Sequence, residues 1–534
     1  WKRWKMREIR IKVFDEGRVD EELTKIAQDI AKFCMEKYKL QLTDVDFYLV
    51  NAEELYSLAA ASGWMVHPQH WTLGQKYLVQ KKGHELGYWQ IYEIVVPSGV
   101  WEEGGLREPT QAFIYRGDTQ VEVKLVMTHV FGHIHMFEKN WKLQEFKPKS
   151  PYGFMSRIRD RLMQIENTVG EEELERIMDV GYSLSTLIDF YPTKKIELEE
   201  EKKLLENFII SPEEKRKKVI EKREKEIVEK KFPEKRDYDV LKFIATHSPK
   251  LREWEKEVLY LIWEYTRYLY SLGLVKILGE GFAALVDLKY CLDAKLPIGE
   301  TFEWLKHRTA GAYQPGKHEK HRTIYYINPY WLGMSLLWDI MEKWDTGRVW
   351  FEYEDIGDAI ERREYDIKLG KGWDKVLEVV ATHTDYTFID TFFTEEFFRK
   401  KADFLFVYAG DEPKSGEREE DTYTIISRQY KDVKNTLLFR AYNAGMPRIA
   451  VEVGGGNFKN KGELYLVHDI TGYDNLGLTP KQLTLHPTET VDVLLKALYP
   501  SWGRPVYLET VDKEGKPIIL FTEDGEKVKI ESKK

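Results

Sequence analysis

Cysteine is nearly absent: the 534 residues contain two, Cys34 and Cys291. That excludes a disulfide framework and fits a reducing, cytoplasmic setting. Long apolar runs are missing too. The most apolar helical stretch, "VLYLIWEYTRYLYSLGLV", is broken by Glu264 and Arg267. With no uninterrupted span of about 18–20 apolar residues, no membrane span is expected. Nor is there a basic surplus. Lys+Arg total 81 against Asp+Glu 90, a net charge of −9 and a pI of about 5.9, so no nucleic-acid partner is expected. The opening "WKRWKMREIRIK" is basic but lacks the apolar core of a secretory signal.

What is present points to well-packed domains. Hydrophobic residues make up 43% and aromatics 13%, and a chain of this length predicts two or three domains. The charged fraction of 32%, rich in Lys and Glu, suits a thermophile. "DEELTKIAQDIAKFCMEKYKL" puts Leu23, Ile26, Ile30, Phe33 and Cys34 on one helical stripe, and "DVDFYLVN" and "WQIYEIVV" read as strands. A charged region at 195–236 has dense Glu–Lys pairs at helical spacing and reads as a solvated helical arm. From about residue 403 short β-rich runs take over, among them "TLLFRAYNAG", "RIAVEVGGGN", "GELYLVHDITG" and "RPVYLETV". "VEVGGGNFKNKG" lacks the lysine–hydroxyl ending of a phosphate loop and reads as a hairpin turn. The expected fold class is α+β: a mostly helical body with a zincin-like helical metal-site core, and a C-terminal α+β domain. The boundaries drawn are 1–120 for an N-terminal α/β segment, 121–400 for the helical domain and 401–534 for the C-terminal domain.

"VMTHVFGHIHMFEKN" concentrates His129, His133 and His135 in seven positions of a helix expected over 121–139. His129 and His133 lie roughly 40° apart on a helix, so both can reach one metal. Their spacing is that of the H-E-x-x-H helix of zinc hydrolases, but Val130 stands where those enzymes keep a general-base glutamate. His135 is about 120° from His129 on an ideal helix, which argues against a shared ion. A second helix, 276–290, reads "KILGEGFAALVDLKY". Glu280 sits in apolar surroundings between two glycines, with Asp287 seven residues on, almost directly above it. Buried acids of this kind require a metal, a base or protonation. Zinc hydrolases that take two histidines from one helix and a glutamate from a later one would be matched by His129, His133 and Glu280. A buried salt-bridge network is the alternative.

Several segments, in order, resemble the stage V sporulation protein R (SpoVR) family: "HWTLGQKY" (70–77), "IYEIVVPS" (91–98), "MTHVFGHIHMFEKN" (127–140), "GEGFAALVD" (279–287), "INPYWLGMSLLWDI" (327–340), "TFIDTFFTEEF" (387–397) and "GELYLVHDITG…RPVYLETV" (462–511). The chain departs from the family at Gly279 and Phe282, where the family has Asn and Trp. His135 stands where it has an aspartate and Asp287 where it has a histidine. That exchange would follow if positions 135 and 287 touched or shared a ligand. The resemblance implies an association with spore cortex formation, and neighbours in the form of a PrkA-type serine kinase and a von Willebrand A-like protein. It supplies no secure activity.

With zinc (Zn2+) on His129, His133 and Glu280, a peptidase- or amidase-type hydrolase would still need a proton acceptor. Asp287 and His135 are the leading candidates, followed by Glu264 and by Glu93 in "IYEIVV". His70 and Trp71 form a further candidate site, and His307 coincides with a family histidine. The rival expectation is a non-catalytic regulatory protein engaging the kinase system.

Overall fold

The computed structural model describes residues 9–63, 68–85, 93–99, 108–190, 232–309, 316–319, 322–349, 351–410, 423–442, 448–469, 490–512 and 515–533. Most of the charged arm expected at 195–236 therefore lies outside the described residues. The chain forms two compact units, each discontinuous in sequence: residues 1–157 with 271–438, and residues 158–270 with 439–534. Consecutive segments ending at 120 and 400 do not describe them. The histidine helix shares a core with the N-terminal strands, so residues on either side of 120 belong to one unit.

In the first unit a mixed sheet runs in the order β2-β1-β3-β5-β4. Its strands are β1 (Ile11–Asp15), β2 (Arg18–Val19), β3 (Val45–Val50), β4 (Glu93–Val96) and β5 (Thr110–Tyr115). β1, β3 and β5 are parallel neighbours, while β2 and β4 are antiparallel edges. The helix Glu21–Tyr38 crosses from β1 to β3 and buries Ala27, Ile30, Ala31 and Cys34. Above the sheet lies the histidine helix, Gln120–Lys139, started by a capping box between Thr119 and Glu122. Its Phe131 meets Phe47 of β3 edge-on at 5.8 Å, which fixes the helix face turned to the sheet.

Two further helices complete this core: the glutamate helix, Lys276–Asp293, and the tyrosine helix, Pro329–Thr346, with Asn328 as N-cap and proline in its first turn. Glycines set how closely they approach. A Cβ at Gly132 would come within 2.7 Å of Ala283 Cα, and one at Gly281 within 2.3 Å of the Gly333 carbonyl carbon. The glutamate helix is thus in backbone contact with a helix on either side.

In the second unit, helices including Glu171–Leu184, Val240–His247 and Glu253–Ser271 accompany a five-stranded sheet. Strands Leu464–His468 and Val506–Val511 are parallel, and the remaining pairs are antiparallel. As expected, the glycine-rich run joins two antiparallel strands, with Gly454 at φ 75° and a tight turn at Gly455–Asn457. "TLLFRAYNAG" was expected to be a strand, but its residues 436–441 fall in the helix Tyr430–Ala441, which runs from the first unit into the second. The reason is periodicity: Val433, Leu437, Leu438 and Ala441 recur at helical spacing and are all buried. The stretch Glu253–Asp293 reaches a mean hydropathy of 1.5 over its most apolar window, long enough to cross a membrane, yet 61% of that window is buried in the protein.

The glycine crossing makes a direct prediction. Gly281→Ala should lower the melting temperature, because overpacking of about 1–3 kcal/mol exceeds the gain in helix propensity of about 1 kcal/mol. Gly299→Ala, at a helical position with nothing within 4 Å of the added carbon, should be neutral or stabilising. Thermal melts showing equal effects would contradict the backbone contact.

Candidate metal centre

Between the histidine helix, the glutamate helix and edge strand β4, the first unit gathers His129, His133, Glu280 and Glu93. Glu93 opens β4, paired with Ile114 of β5, and this registers its carboxylate toward the histidine helix. The nitrogen and oxygen atoms of Glu93, His129 and His133 that could bind a metal lie within 4.8 Å of one another. His129 Nε2 is 3.6 Å from Glu93 Oε1 and 3.7 Å from Glu280 Oε2, and His133 Nε2 is 3.4 Å from that same Glu280 oxygen. None of these is a well-formed hydrogen bond. His129 Nε2, Glu93 Oε2 and Glu280 Oε2 are buried without a hydrogen-bond partner, an arrangement that normally costs free energy.

The far side of His129 is fully engaged. Its Nδ1 lies 2.8 Å from Asp287 Oδ2, and Arg308 Nη2 approaches the same oxygen at 2.8 Å. A carboxylate only accepts, so Nδ1 carries a proton and Nε2 is the ring atom turned to the cluster. Arg308 arrives because its neighbour His307 pairs with Glu122 at 2.5 Å, tying the helix Ile298–Thr309 to the first turn of the histidine helix. Tyr330, at the start of the tyrosine helix, stacks its ring 5.9 Å from that of His129. His133 packs edge-on to His129 at 4.8 Å.

Electrostatics follow from this crowding. Burial alone would lower the His129 pKa. Glu93 opposes that, helped by Asp287 and Glu280 against Arg308, and carries it up to about 9. Burial would raise Glu280, but the two imidazoles hold it well below the usual carboxylate range. The Tyr330 phenol is pushed well above 10 by burial and by Glu280 and Glu93, so it keeps its proton.

The other candidates fall elsewhere. His135 does not touch Asp287: it is buried on another flank of the helix, its Nδ1 accepting from Gln41 N at 2.9 Å and its ring 5.5 Å from Phe282. The unbroken helix keeps the ideal angular separation, so the exchange of residue types at 135 and 287 does not reflect contact. Burial pushes His135 down to about 4. Asp287 faces the cluster through His129 rather than as an open base. His70 pairs with Thr72 Oγ1 at 2.8 Å and packs on half-exposed Trp71 in the turn before the helix Thr72–Glu85. Glu264 lies on a helix of the second unit. Sequence reasoning missed Arg308 and Tyr330. Arg308 directly follows the noted His307 and Tyr330 sits inside the quoted "INPYWLGMSLLWDI", but nothing in periodicity marks a buried arginine or tyrosine as facing a histidine.

Comparison with known proteins gives one family, described as SpoVR like protein, matching residues 18–446. The uncharacterized protein YcgB of Escherichia coli (strain K12) is 23% identical over 510 residues, covering 90% of this chain and 91% of that protein. No solved structure matches the chain.

The raised His129 pKa has a measurable consequence in metal-free protein. The stabilisation from its proton is complete below about 6.5, the unfolded value, and is lost as pH rises through about 9. With chelator present, the melting temperature should fall between pH 7 and 10. It should fall less in Glu93→Gln, which removes the largest upward influence. Parallel curves would show that Glu93 does not charge His129.

Proposed function

The chain belongs to the SpoVR-like protein family, and from that premise and the buried cluster we propose a metal-dependent protein whose first unit holds one divalent ion for hydrolase-type chemistry. His129, His133 and Glu280 are the ligands, zinc is the leading candidate ion, and a peptidase- or amidase-type reaction is the class the site suits. The observation that carries this is the set of orphaned, buried and converging atoms: His129 Nε2, Glu93 Oε2 and Glu280 Oε2. His129 Nε2 stands 3.7 Å from Glu280 Oε2 and 3.6 Å from Glu93 Oε1, and His133 Nε2 stands 3.4 Å from Glu280 Oε2, separations too long or misaligned for hydrogen bonds. They are close to the roughly 3.4 Å expected between two ligands of one tetrahedral ion with bonds of about 2.0–2.1 Å.

Charge supports the same reading. Glu93 and Glu280 crowd His129, while Asp287 pairs with the Arg308 guanidinium; with the imidazoles neutral, the two remaining carboxylates carry the charge a divalent cation would neutralise. Nitrogen and carboxylate donors without thiolate suit zinc, iron or manganese.

A bound divalent ion would supply Lewis acidity and lower the pKa of water. The protein's own groups provide the rest. Asp287 fixes the His129 tautomer and ring orientation, as carboxylates behind metal-binding histidines do. Glu93 stands in for the base that Val130 cannot be, accepting a proton at its unpaired Oε2. Tyr330, kept protonated, donates toward an oxygen on which negative charge develops.

One observation favours a second reading. Glu93 and Glu280 lie almost equally far from His129 Nε2, at 3.6 and 3.7 Å, so both carboxylates could ligate and close the site. The protein would then be regulatory and non-catalytic, acting with a PrkA-type serine kinase system.

Metal content separates the two. Mass spectrometry on protein purified without a metal-affinity column should find about one divalent ion per chain, lost in Glu280→Ala and His133→Ala. Asp287→Asn should weaken affinity by roughly 10–100-fold. Retention in Glu93→Gln supports the open, hydrolytic site, and loss there supports the closed one. A wild-type protein without metal would remove the hydrolytic reading and leave a regulatory role without a metal.

A further inference from the structure

The glutamate helix has no cap of its own. Val275 at its N-cap position offers no side-chain hydrogen bond, although the first turn runs straight into the core, with Leu278 and Gly279 buried. The exposed N–H groups of a helix start need partners. They find one more than a hundred residues away: Asp385 accepts from Ile277 N with Oδ2 and from Leu278 N with Oδ1, both at 2.8 Å. The histidine helix shows the matching arrangement at its other end. Asn140, its C-cap, accepts from Lys142 N and Leu143 N with Oδ1. Through Nδ2 it donates to the carbonyls of Val380 and His383, both at 2.8 Å. Trp141 Nε1 adds a bond to the Thr382 carbonyl at 3.1 Å.

Val380–Asp385 thus joins four helix ends. It receives the C-terminus of the histidine helix, caps the N-terminus of the glutamate helix, ends the helix Gly372–Thr382 and opens the helix Asp385–Phe392. Asn140 and Asp385 are both buried, at 0% and 3% exposure, so neither bond set has water to replace it. His133 lies two turns before Asn140, and Glu280 one turn beyond the capped amides. The two ligand-bearing helices are held at these ends by the same short piece of chain.

We propose that Val380–Asp385 is a clasp that sets the separation of the His133 and Glu280 donors, with Asn140 and Asp385 as positioning residues of the metal centre. This rests on reading the cluster as a metal centre. An ordinary cap would matter only to folding. A clasp matters to the spacing of the donors, so it changes affinity and ligand geometry in protein that is still folded.

Cobalt(II) reports both quantities. Full-length protein stripped with chelator is titrated with Co2+, reading the binding midpoint and the visible absorption bands, with circular dichroism as a check on folding. Asp385→Ala should remain helical, bind Co2+ about tenfold more weakly or worse, and show altered bands. Asp385→Asn, which keeps the shape and one acceptor oxygen, should recover most of the affinity and the wild-type bands. The pair Asn140→Ala and Asp385→Ala should combine non-additively, since each loosens the same junction. Folded Asp385→Ala with wild-type midpoint and bands overturns the clasp while leaving the metal centre standing. If Asp385→Ala does not fold, Asp385→Asn decides. Its lone acceptor should leave a measurable weakening, and an Asn variant identical to wild type in both readouts overturns the proposal. Wild-type protein that takes up no Co2+ overturns the metal-centre reading, and the clasp with it.

Discussion

Everything in the first unit depends on how closely the glutamate helix is allowed to approach its neighbours. Two glycines on one side and a glycine–alanine contact on the other leave main chain against main chain. Helices normally pack about 8–10 Å apart with side chains interleaved. Here the missing side chains let the short carboxylate of Glu280 reach imidazoles on the adjacent helix. The same contact brings the first turn of the tyrosine helix close enough for Tyr330 to cover His129. Bulkier residues at these positions would still give three helices, but their polar groups would no longer converge.

Convergence has an electrostatic cost that the protein manages in layers. Around the cluster the polar groups find partners, Asp287 with Arg308 and Glu122 with His307. At its centre the pairing stops, and His129, Glu93 and Glu280 keep unpaired atoms. In the absence of an ion the imidazole takes a proton to compensate, which is why its pKa climbs despite complete burial. A core optimised for stability alone would not keep such a centre.

Much of this was legible in the residue order, and the limits are physical. His129 and His133 could be put on one helix face because helical spacing is a rule that spans only a few residues, and both helices form close to where periodicity places them, at Gln120–Lys139 and Lys276–Asp293; Glu280 was grouped with them only through the ligand pattern of zinc hydrolases. Glu93 was noticed but ranked low, since a strand edge says nothing about which helix it will face. Asp287 meets His129 at Nδ1 rather than on the open side, an orientation that depends on the rotation of two helices about each other. Arg308, Tyr330, Asn140 and Asp385 are long-range partners. Their roles arise from tertiary closure, which no local pattern encodes. The helix at Tyr430–Ala441 was misread because β-prone residue types outweighed a clear four-residue recurrence.

The discontinuity of the units also bears on the order of events during synthesis. Glu93, His129 and His133 leave the ribosome early, but Glu280, Arg308, Tyr330 and Asp385 belong to a segment that follows the 158–270 insertion. At about 5–20 residues per second, the nascent chain carries an unfinished half-site for roughly ten seconds to a minute. During that interval the sheet and the histidine helix expose apolar surface and two adjacent imidazoles with no third helix to cover them. A growing chain of this design depends on whatever shelters that surface before its own third helix can cover it.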